Sequence, residues 1–221
     1  MRKILLAACV ALIALNGSAK GRLDRATFEK YWIVESESPE YVLSFTDDST
    51  LEIVSPKGLT LWYAAPMKSG IEIEYDACVY DEREGDRLSD LNCFWMASDP
   101  KTKTVFDRLG ERNGVFANCA QMQLYYVGYG GNYNSTTRFR RYNGEPGPAI
   151  ITEYTDEAHL LKANHWYHIK LVAARDGRVE YWIDGEKLVD YLDPQPLRKG
   201  WFGFRTTLSR TGIRNFSYRK I

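Results

Sequence analysis

The chain has 221 residues, with 29 Lys and Arg against 29 Asp and Glu, and therefore no formal net charge. A balanced charge gives no overall electrostatic field for nucleic acid or an anionic membrane, so we exclude both as partners of the bulk surface. Aromatic residues make up 14% of the chain, and its 15 Tyr and 6 Trp favour half-buried strands over helices. Composition therefore predicts a β-rich protein.

The first residues predict a secretory signal peptide. Two basic residues precede an unbroken apolar run over residues 4–15, which is shorter than the roughly 18 residues of a spanning helix. No later stretch approaches that length, so we predict no membrane span. Cys9 lies too early in the run to be a lipoprotein processing site. We expect residues 1–19 to be removed and residues 20–221 to form a single periplasmic or secreted domain.

The remaining chain predicts many short strands and little helix. The most regular passage, between residues 165 and 192, contains three alternating runs separated by Asp176-Gly177 and Asp184-Gly185. Such dipeptides favour tight hairpin turns, so this passage predicts an antiparallel meander. Roughly ten strands with brief helical patterns predict an all-β jelly-roll sandwich of two antiparallel sheets. Further strands are expected at residues 51–54, 59–64, 71–80, 91–97, 122–129, 201–206 and 213–218.

Three cysteines follow the predicted signal peptide: Cys78, Cys93 and Cys119. An odd number allows at most one intramolecular bridge, and the spacing is not the C-x-x-C of a structural zinc site. They are either small apolar core residues or include one disulfide, whose pairing the sequence leaves open. We predict no cofactor or metal site and leave calcium open.

Residues 125–142, which read YYVGYGGNYNSTTRFRRY, are unusually rich in Tyr, Gly, Asn and Arg. Glycine lets the backbone turn sharply or approach a ligand, while Tyr and Asn offer the flat faces and paired donors and acceptors that sugar rings require. Tyr126 and Tyr129 are therefore candidate catalytic residues, and Asn132 and Asn134 candidate substrate-binding residues. The alternative is a glycine-bent loop whose tyrosines cover one end of the sandwich.

Arg138 and Arg140, in the same stretch, would project with Tyr142 from one face of a strand. Two guanidinium groups on one face suit a carboxylate or sulfate, which favours uronic acids or sulfated sugars over neutral glucans. The predicted partner is therefore an acidic oligosaccharide or polysaccharide. Alternatively, the arginines form ordinary ion pairs with one of three acids, Glu145, Asp156 or Glu157.

Four further residues complete the candidate set. Asn92 and Trp95 lie on a predicted strand, where Trp95 either stacks a sugar ring or, as is commoner, packs in the core. Arg205 follows the apolar run WFGF, so it either pairs internally or points into a cleft. His168 is a third candidate base, with an ordinary surface or core position as the alternative.

Four passages resemble a known family: residues 90–100, the YYVGYGGN stretch, EYTDEAHLL with the following NHWYHI, and the closing KGWFGFRTT. Together they look like an uncharacterised group of secreted Bacteroidetes proteins. That group is similar to YesU-like proteins of rhamnogalacturonan-utilisation loci and, more distantly, to keto-disaccharide hydrolase domains. The resemblance implies a concanavalin A-like jelly roll over the whole mature chain and a context of polysaccharide breakdown.

Two hypotheses remain open. The chain is an enzyme, a lyase or hydrolase of uronate-containing pectic, algal or similar oligosaccharides, or it is a non-catalytic module that binds acidic glycans. A lyase requires a base near the sugar C5 proton and a cation or amide that stabilises the developing enolate. The bases would be Tyr126, Tyr129 or His168. The E-x-D-x-x-E strand of jelly-roll glucanases is missing from the sequence, which disfavours a retaining hydrolase of that type.

Overall fold

The structure, a computed structural model, describes residues 23–221. The predicted signal peptide over residues 1–19 and its Cys9 therefore lie outside the described residues. Within the described range, no helix combines the length and the apolar character needed to cross a membrane.

Antiparallel strands form most of the described chain, with only short helical segments between them. The strands are β1 Trp32–Ser36, β2 Val42–Phe45, β3 Leu51–Tyr63, β4 Met67–Lys68, β5 Ile71–Tyr80, β6 Leu91–Ser98, β7 Gln123–Gly130, β8 Thr136–Asn143, β9 Ala149–Tyr154, β10 Tyr167–Ala173, β11 Arg178–Ile183, β12 Glu186–Leu192 and β13 Lys199–Lys220. The short helical segments are α1 Phe28–Tyr31, α2 Leu109–Arg112 and α3 Gly131–Asn134, the last of which is a left-handed turn, and 3₁₀ turns occupy Val105–Arg108, Phe116–Gln121 and Glu157–His159.

Two long strands, β3 and β13, run through both layers of the sandwich. The first part of β13 pairs with β6 and the second part of β3, and the register shifts between Thr207 and Ser209. Leu208 adopts a φ of 49° at this bend. Beyond it, β13 pairs with β5 and the first part of β3. One layer, here called the cleft sheet, has the order β1-β3-β13-β6-β7-β8-β9, and the second sheet has the order β2-β3-β13-β5-β10-β11-β12.

This architecture confirms the predicted all-β jelly-roll sandwich. The meander forms as expected, because β10, β11 and β12 pair in sequence and the Asp184-Gly185 turn has φ values of 48° and 83°. The structure differs in joining residues 51–54 with 59–64, and 201–206 with 213–218, into single strands. A bend that carries a strand between layers interrupts the alternation of apolar residues, so the sequence shows two runs.

The main core lies between the sheets. Its largest members include Trp95, Tyr125, Tyr181 and Phe139, each at most 1% exposed. The three cysteines are buried and free, which agrees with the interpretation of them as small apolar residues. Burial raises the pKa of the Cys93 thiol to about 12 and those of Cys78 and Cys119 to about 11.

A segment over residues 99–121, here called the covering segment, packs on the outer face of the cleft sheet around a second apolar cluster that contains Trp62. Glu35 of β1 anchors it. Its carboxylate accepts hydrogen bonds from Trp62 Nε1 at 2.9 Å, Arg112 Nη2 at 2.8 Å and the Gly114 amide at 3.2 Å. The Glu35 and Arg112 side chains are only 2% and 3% exposed. The covering segment shields part of the outer face and leaves the rest open.

Candidate functional site

The open part of the cleft sheet's outer face contains a cleft of about 310 Å³ beside the covering segment. Strands β6, β7, β8 and β13 form its floor. Most of its lining residues have polar or charged side chains; the lining comprises Glu37, Asp90, Asn92, Phe116, Tyr126, Gly128, Gly131, Asn132, Thr136, Arg138, Arg140, Arg205 and Thr207.

Strand register brings residues from distant parts of the sequence into one row across the cleft floor. Arg205 lies opposite Asn92, Asn92 opposite Gly128, and Gly128 opposite Arg138. Side chains alternate along each strand, so these four positions share the outer face. Six of the predicted site residues therefore meet in this cleft: Asn92, Tyr126, Asn132, Arg138, Arg140 and Arg205.

The three cleft arginines differ in their partners. Arg138 forms an ion pair with Glu153 of β9, which is none of the three acids considered from the sequence. Arg205 is 4% exposed, and its Nη1 donates to Thr60 Oγ1 at 3.1 Å and to the Gly114 carbonyl at 3.0 Å. The buried Nε of Arg140 has no hydrogen-bond partner. Within residues 23–221, no carboxylate forms an ion pair with Arg140 or Arg205.

The acidic and amide groups of the cleft are bound mainly to other residues. Asp90 forms an ion pair with Arg87 and accepts a hydrogen bond from the Ser89 hydroxyl at 2.7 Å. Glu37 Oε2 accepts a hydrogen bond from the Gly58 amide at 3.3 Å, and Glu37 Oε1 lies 3.9 Å from Lys57 Nζ. Asn92 Nδ2 donates to Asp90 Oδ1 at 3.3 Å, while the buried Oδ1 of Asn92 has no partner. The cleft thus offers cationic donors at Arg140 and Arg205 and, at Asn92 Oδ1, a buried acceptor without a hydrogen-bond partner.

The phenol of Tyr126 lies over Gly128, where an added Cβ would stand 2.5 Å from the hydroxyl oxygen. Glycine at position 128 therefore makes room for this ring on the cleft floor. Burial, aided by the negative charge of Asp90, raises the pKa of Tyr126 well above its ordinary value. Arg140 lies 6.0 Å from the ring centroid but does not offset this effect. The raised pKa favours the protonated phenol, which donates a hydrogen bond, over the phenolate that a catalytic base would require.

Four predicted residues lie outside the cleft. Trp95 is 0% exposed and packs against Tyr125 and Phe139 between the sheets, so it has no face for a sugar. Tyr129 also points inward, is 3% exposed and donates to the Leu160 carbonyl at 3.2 Å.

His168 lies on the second sheet, where its Nδ1 is 2.9 Å from Asp76 Oδ1. Asn134 binds the backbone of Leu161 through both side-chain atoms, at 2.8 and 2.9 Å. Alternation along β6 and β7 explains the inward side chains, since residues adjacent to cleft residues must face the core. The structure therefore places these four residues away from the cleft.

Several residues that line the cleft were not predicted from the sequence. Glu37 and Phe116 come from the connection after β1 and from the covering segment, and neither carries a local motif that would indicate a site. Thr207 lies at the β13 bend. No three His, Cys, Asp or Glu side chains among residues 23–221 are grouped so as to hold a metal ion.

Known structures share this fold. A protein of unknown function with a galectin-like fold from Bacillus subtilis is 19% identical, with a TM-score of 0.71 over 90% of this chain and 92% of that chain. The carbohydrate-binding module CBM66 from Bacillus subtilis is 15% identical, with a TM-score of 0.57 over 86% and 95%. The exoplasmic/lumenal domain of VIP36 in its Ca²⁺/Man3GlcNAc-bound form is 12% identical, with a TM-score of 0.62 over 90% and 87%. At these identities the comparisons show the fold alone.

Comparison of the sequence, as opposed to the structure, identifies one protein family. Residues 53–216 match the family described as "Domain of unknown function (DUF6250)". This range includes in full nine of the thirteen described strands, together with most of β3 and β13 and every predicted site residue. No curated protein sequence matches the chain.

Proposed function

The chain belongs to the DUF6250 family, and we propose that its cleft binds the carboxylate of a uronate-containing oligosaccharide in the course of polysaccharide breakdown. One observation carries the proposal: Arg140 and Arg205 face the same cleft without a carboxylate partner. A guanidinium group is expensive to bury without an anion, and a carboxylate matches its fork of donors.

Other features of the cleft support a sugar as the carrier of that carboxylate. Asn92 Oδ1 is a buried acceptor without a partner, and it would accept from a sugar hydroxyl. Phe116 and Tyr126 add apolar surface beside these polar groups. Two fold neighbours are named for carbohydrate, a carbohydrate-binding module and a Man3GlcNAc-bound domain. The resemblance to YesU-like proteins supports polysaccharide breakdown as the setting.

Calorimetry with galacturonate, mannuronate and guluronate tetrasaccharides tests the proposal. Arg140→Ala should weaken binding of the acidic tetrasaccharide by about 2 to 5 kcal/mol, because it leaves a desolvated carboxylate without its cation. The fully methyl-esterified analogue should bind equally to the wild type and the variant. Arg178→Ala is the matched control, since Arg178 pairs with Asp190 on the second sheet, and it should not change binding. Unchanged acidic-glycan binding in Arg140→Ala would refute the proposal.

A β-eliminating lyase is the second candidate, favoured by the protonated Tyr126 phenol and the lightly paired Glu37 carboxylate in the same cleft. Glu37 would accept the C5 proton, and the electron pair of the broken C5–H bond would form the C4–C5 double bond. The C4–O bond would break, and its electrons would leave with the oxygen. Tyr126 would give its proton to the departing oxygen. Arg140 would stabilise the enolate charge that develops on the carboxylate.

The ultraviolet absorbance of the unsaturated product distinguishes the two candidates. A lyase would generate this absorbance from an acidic tetrasaccharide, and Tyr126→Phe would lose turnover while keeping affinity, because only the proton donor is removed. If no tetrasaccharide yields this product or shorter fragments while calorimetry reports binding, the chain is a binding module.

We further propose that residues 1–19 are a cleaved signal peptide and that residues 20–221 are exported as one domain. Mass spectrometry of the exported protein should find Lys20 at its N-terminus. An intact Met1, or an acyl group on Cys9, would contradict this.

A further inference from the structure

The Gly131–Asn134 turn at the end of the cleft has an unusual left-handed backbone. Asn132 has a φ of 52° and a ψ of 58°, and Tyr133 has a φ of 57° and a ψ of 45°. Asn134 has a φ of 55°. Residues with a Cβ adopt this conformation at a steric cost, and three in succession are rare. The surrounding contacts must therefore hold the turn in place.

Those contacts come from the side chains on either side of Tyr133. Asn134 is fixed by its two hydrogen bonds to the Leu161 backbone. Ser135 Oγ donates to the Asn132 carbonyl at 2.6 Å, and Asn132 Nδ2 donates to Ser135 Oγ at 3.0 Å. The turn is thus anchored at both ends, and Tyr133 is held at its apex.

Tyr133 is the most exposed of the large apolar side chains in residues 23–221, at 74%. The Arg87 guanidinium lies over one face of its ring, 4.9 Å from the centroid. Arg87 is itself fixed, since it pairs with Asp90 and its Nη2 donates to the Thr207 carbonyl at 2.7 Å. Because Asp90, Asn132 and Thr207 all line the cleft, the ring stands at the cleft end. Its other face is open to solvent.

We propose that this open face of Tyr133 is a stacking platform for a second pyranose ring of the bound glycan, one unit away from the uronate held by Arg140. The inference rests on the proposed function of the cleft and extends it from a single residue to a chain. A flat aromatic face covers the apolar C–H face of a sugar ring, and rigid placement reduces the entropy lost on binding. A turn held at a steric cost to present one tyrosine is consistent with this use.

The test compares monosaccharides with tetrasaccharides of galacturonate, mannuronate and guluronate in calorimetry. Tyr133→Asn removes the ring and keeps a residue type that tolerates the left-handed region. It should weaken tetrasaccharide binding about tenfold or more and leave monosaccharide binding unchanged. Tyr133→Phe should retain wild-type affinity. Leu192→Ala removes an exposed apolar side chain on β12 and serves as the control, with no change expected.

The outcomes separate this inference from the proposed function. Tetrasaccharide affinity that survives Tyr133→Asn but falls in Arg140→Ala overturns the platform and supports the carboxylate site. Affinity for acidic tetrasaccharides that falls in Tyr133→Asn but not in Arg140→Ala supports the platform and overturns the carboxylate site. Wild-type protein that binds none of the three acidic tetrasaccharides overturns both. If Tyr133→Asn has the same Tm as the wild type, the variant is folded, and its loss of affinity is due to the missing ring.

Discussion

Glu35→Gln should destabilise the protein more than any exposed charge substitution, because Glu35 is the buried anion that binds the covering segment to the cleft sheet. Both carboxylate oxygens are used: Oε2 accepts from Trp62 and Arg112, and Oε1 accepts from Arg112 and Gly114. A glutamine amide replaces one of these acceptors with an NH₂ group. That group would face N–H donors, and the Arg112 charge would lose its counterion.

The magnitude follows from burial. With side chains only 2% and 3% exposed, Glu35 and Arg112 cannot exchange their partner for water. Breaking such a pair by changing one member costs about 3 to 5 kcal/mol, against about 5 to 15 kcal/mol for the whole free energy of unfolding. For a chain of this size the loss corresponds to a fall in Tm of about 6 to 20 °C. The control Asp190→Asn, whose partners Arg178 and Lys187 are 46% and 33% exposed, should cost about 1 kcal/mol or less.

Urea unfolding followed by tryptophan fluorescence measures both variants. Arg112→Met should cost less when combined with Glu35→Gln than alone, with a coupling of about 0.5 to 3 kcal/mol, since the second substitution removes the uncompensated charge. A Glu35→Gln loss no larger than that of Asp190→Asn, or additive effects of the two substitutions, would refute the role of Glu35 as the anchor.

Three other outcomes are expected. Gly114→Ala should lower the urea midpoint well below that of Gly85→Ala. A Cβ at Gly114 would stand 2.3 Å from the Glu37 amide nitrogen, whereas a Cβ at Gly85 would meet nothing within 4 Å. Equal urea midpoints of the two variants would contradict this. Iodoacetamide at pH 8 should leave the native thiols unmodified and react after unfolding, because burial raises the Cys93 pKa to about 12 and holds the other two near 11; rapid labelling of native protein would contradict it. Burial raises the pKa of Asp193, but hydrogen bonds from Tyr125 and Arg141 outweigh burial and hold that pKa below its usual range. The ionised Asp193 carboxylate therefore stabilises the fold above about pH 4, and this stabilisation is lost as the pH falls further. Asp193→Asn should have a lower free energy of unfolding than the wild type at neutral pH and should lose less of that free energy on acidification.

Local pattern in the sequence was enough for the fold class. Alternation over residues 165–192 and the turn dipeptides Asp176-Gly177 and Asp184-Gly185 depend only on the chain geometry of neighbouring residues, and the hairpins formed as expected. The same periodicity placed Arg138 and Arg140 on one face of β8. Alternation does not determine which face of a strand points outward. The sequence alone therefore did not show that Trp95 and Tyr129 face the core, which depends on the packing of the two sheets.

The cleft itself was decided by tertiary structure. Arg205, Asn92, Gly128 and Arg138 form one row only because β13, β6, β7 and β8 pair in that register, and no local signal specifies pairing between segments more than a hundred residues apart. Partner choice is equally non-local: Arg138 pairs with Glu153, while Arg140, two residues away, has no carboxylate partner among the described residues. Sequence determined which side chains alternate along each strand. Register and layer packing determined which of them meet, because those depend on contacts that form only when the two sheets close on their shared core.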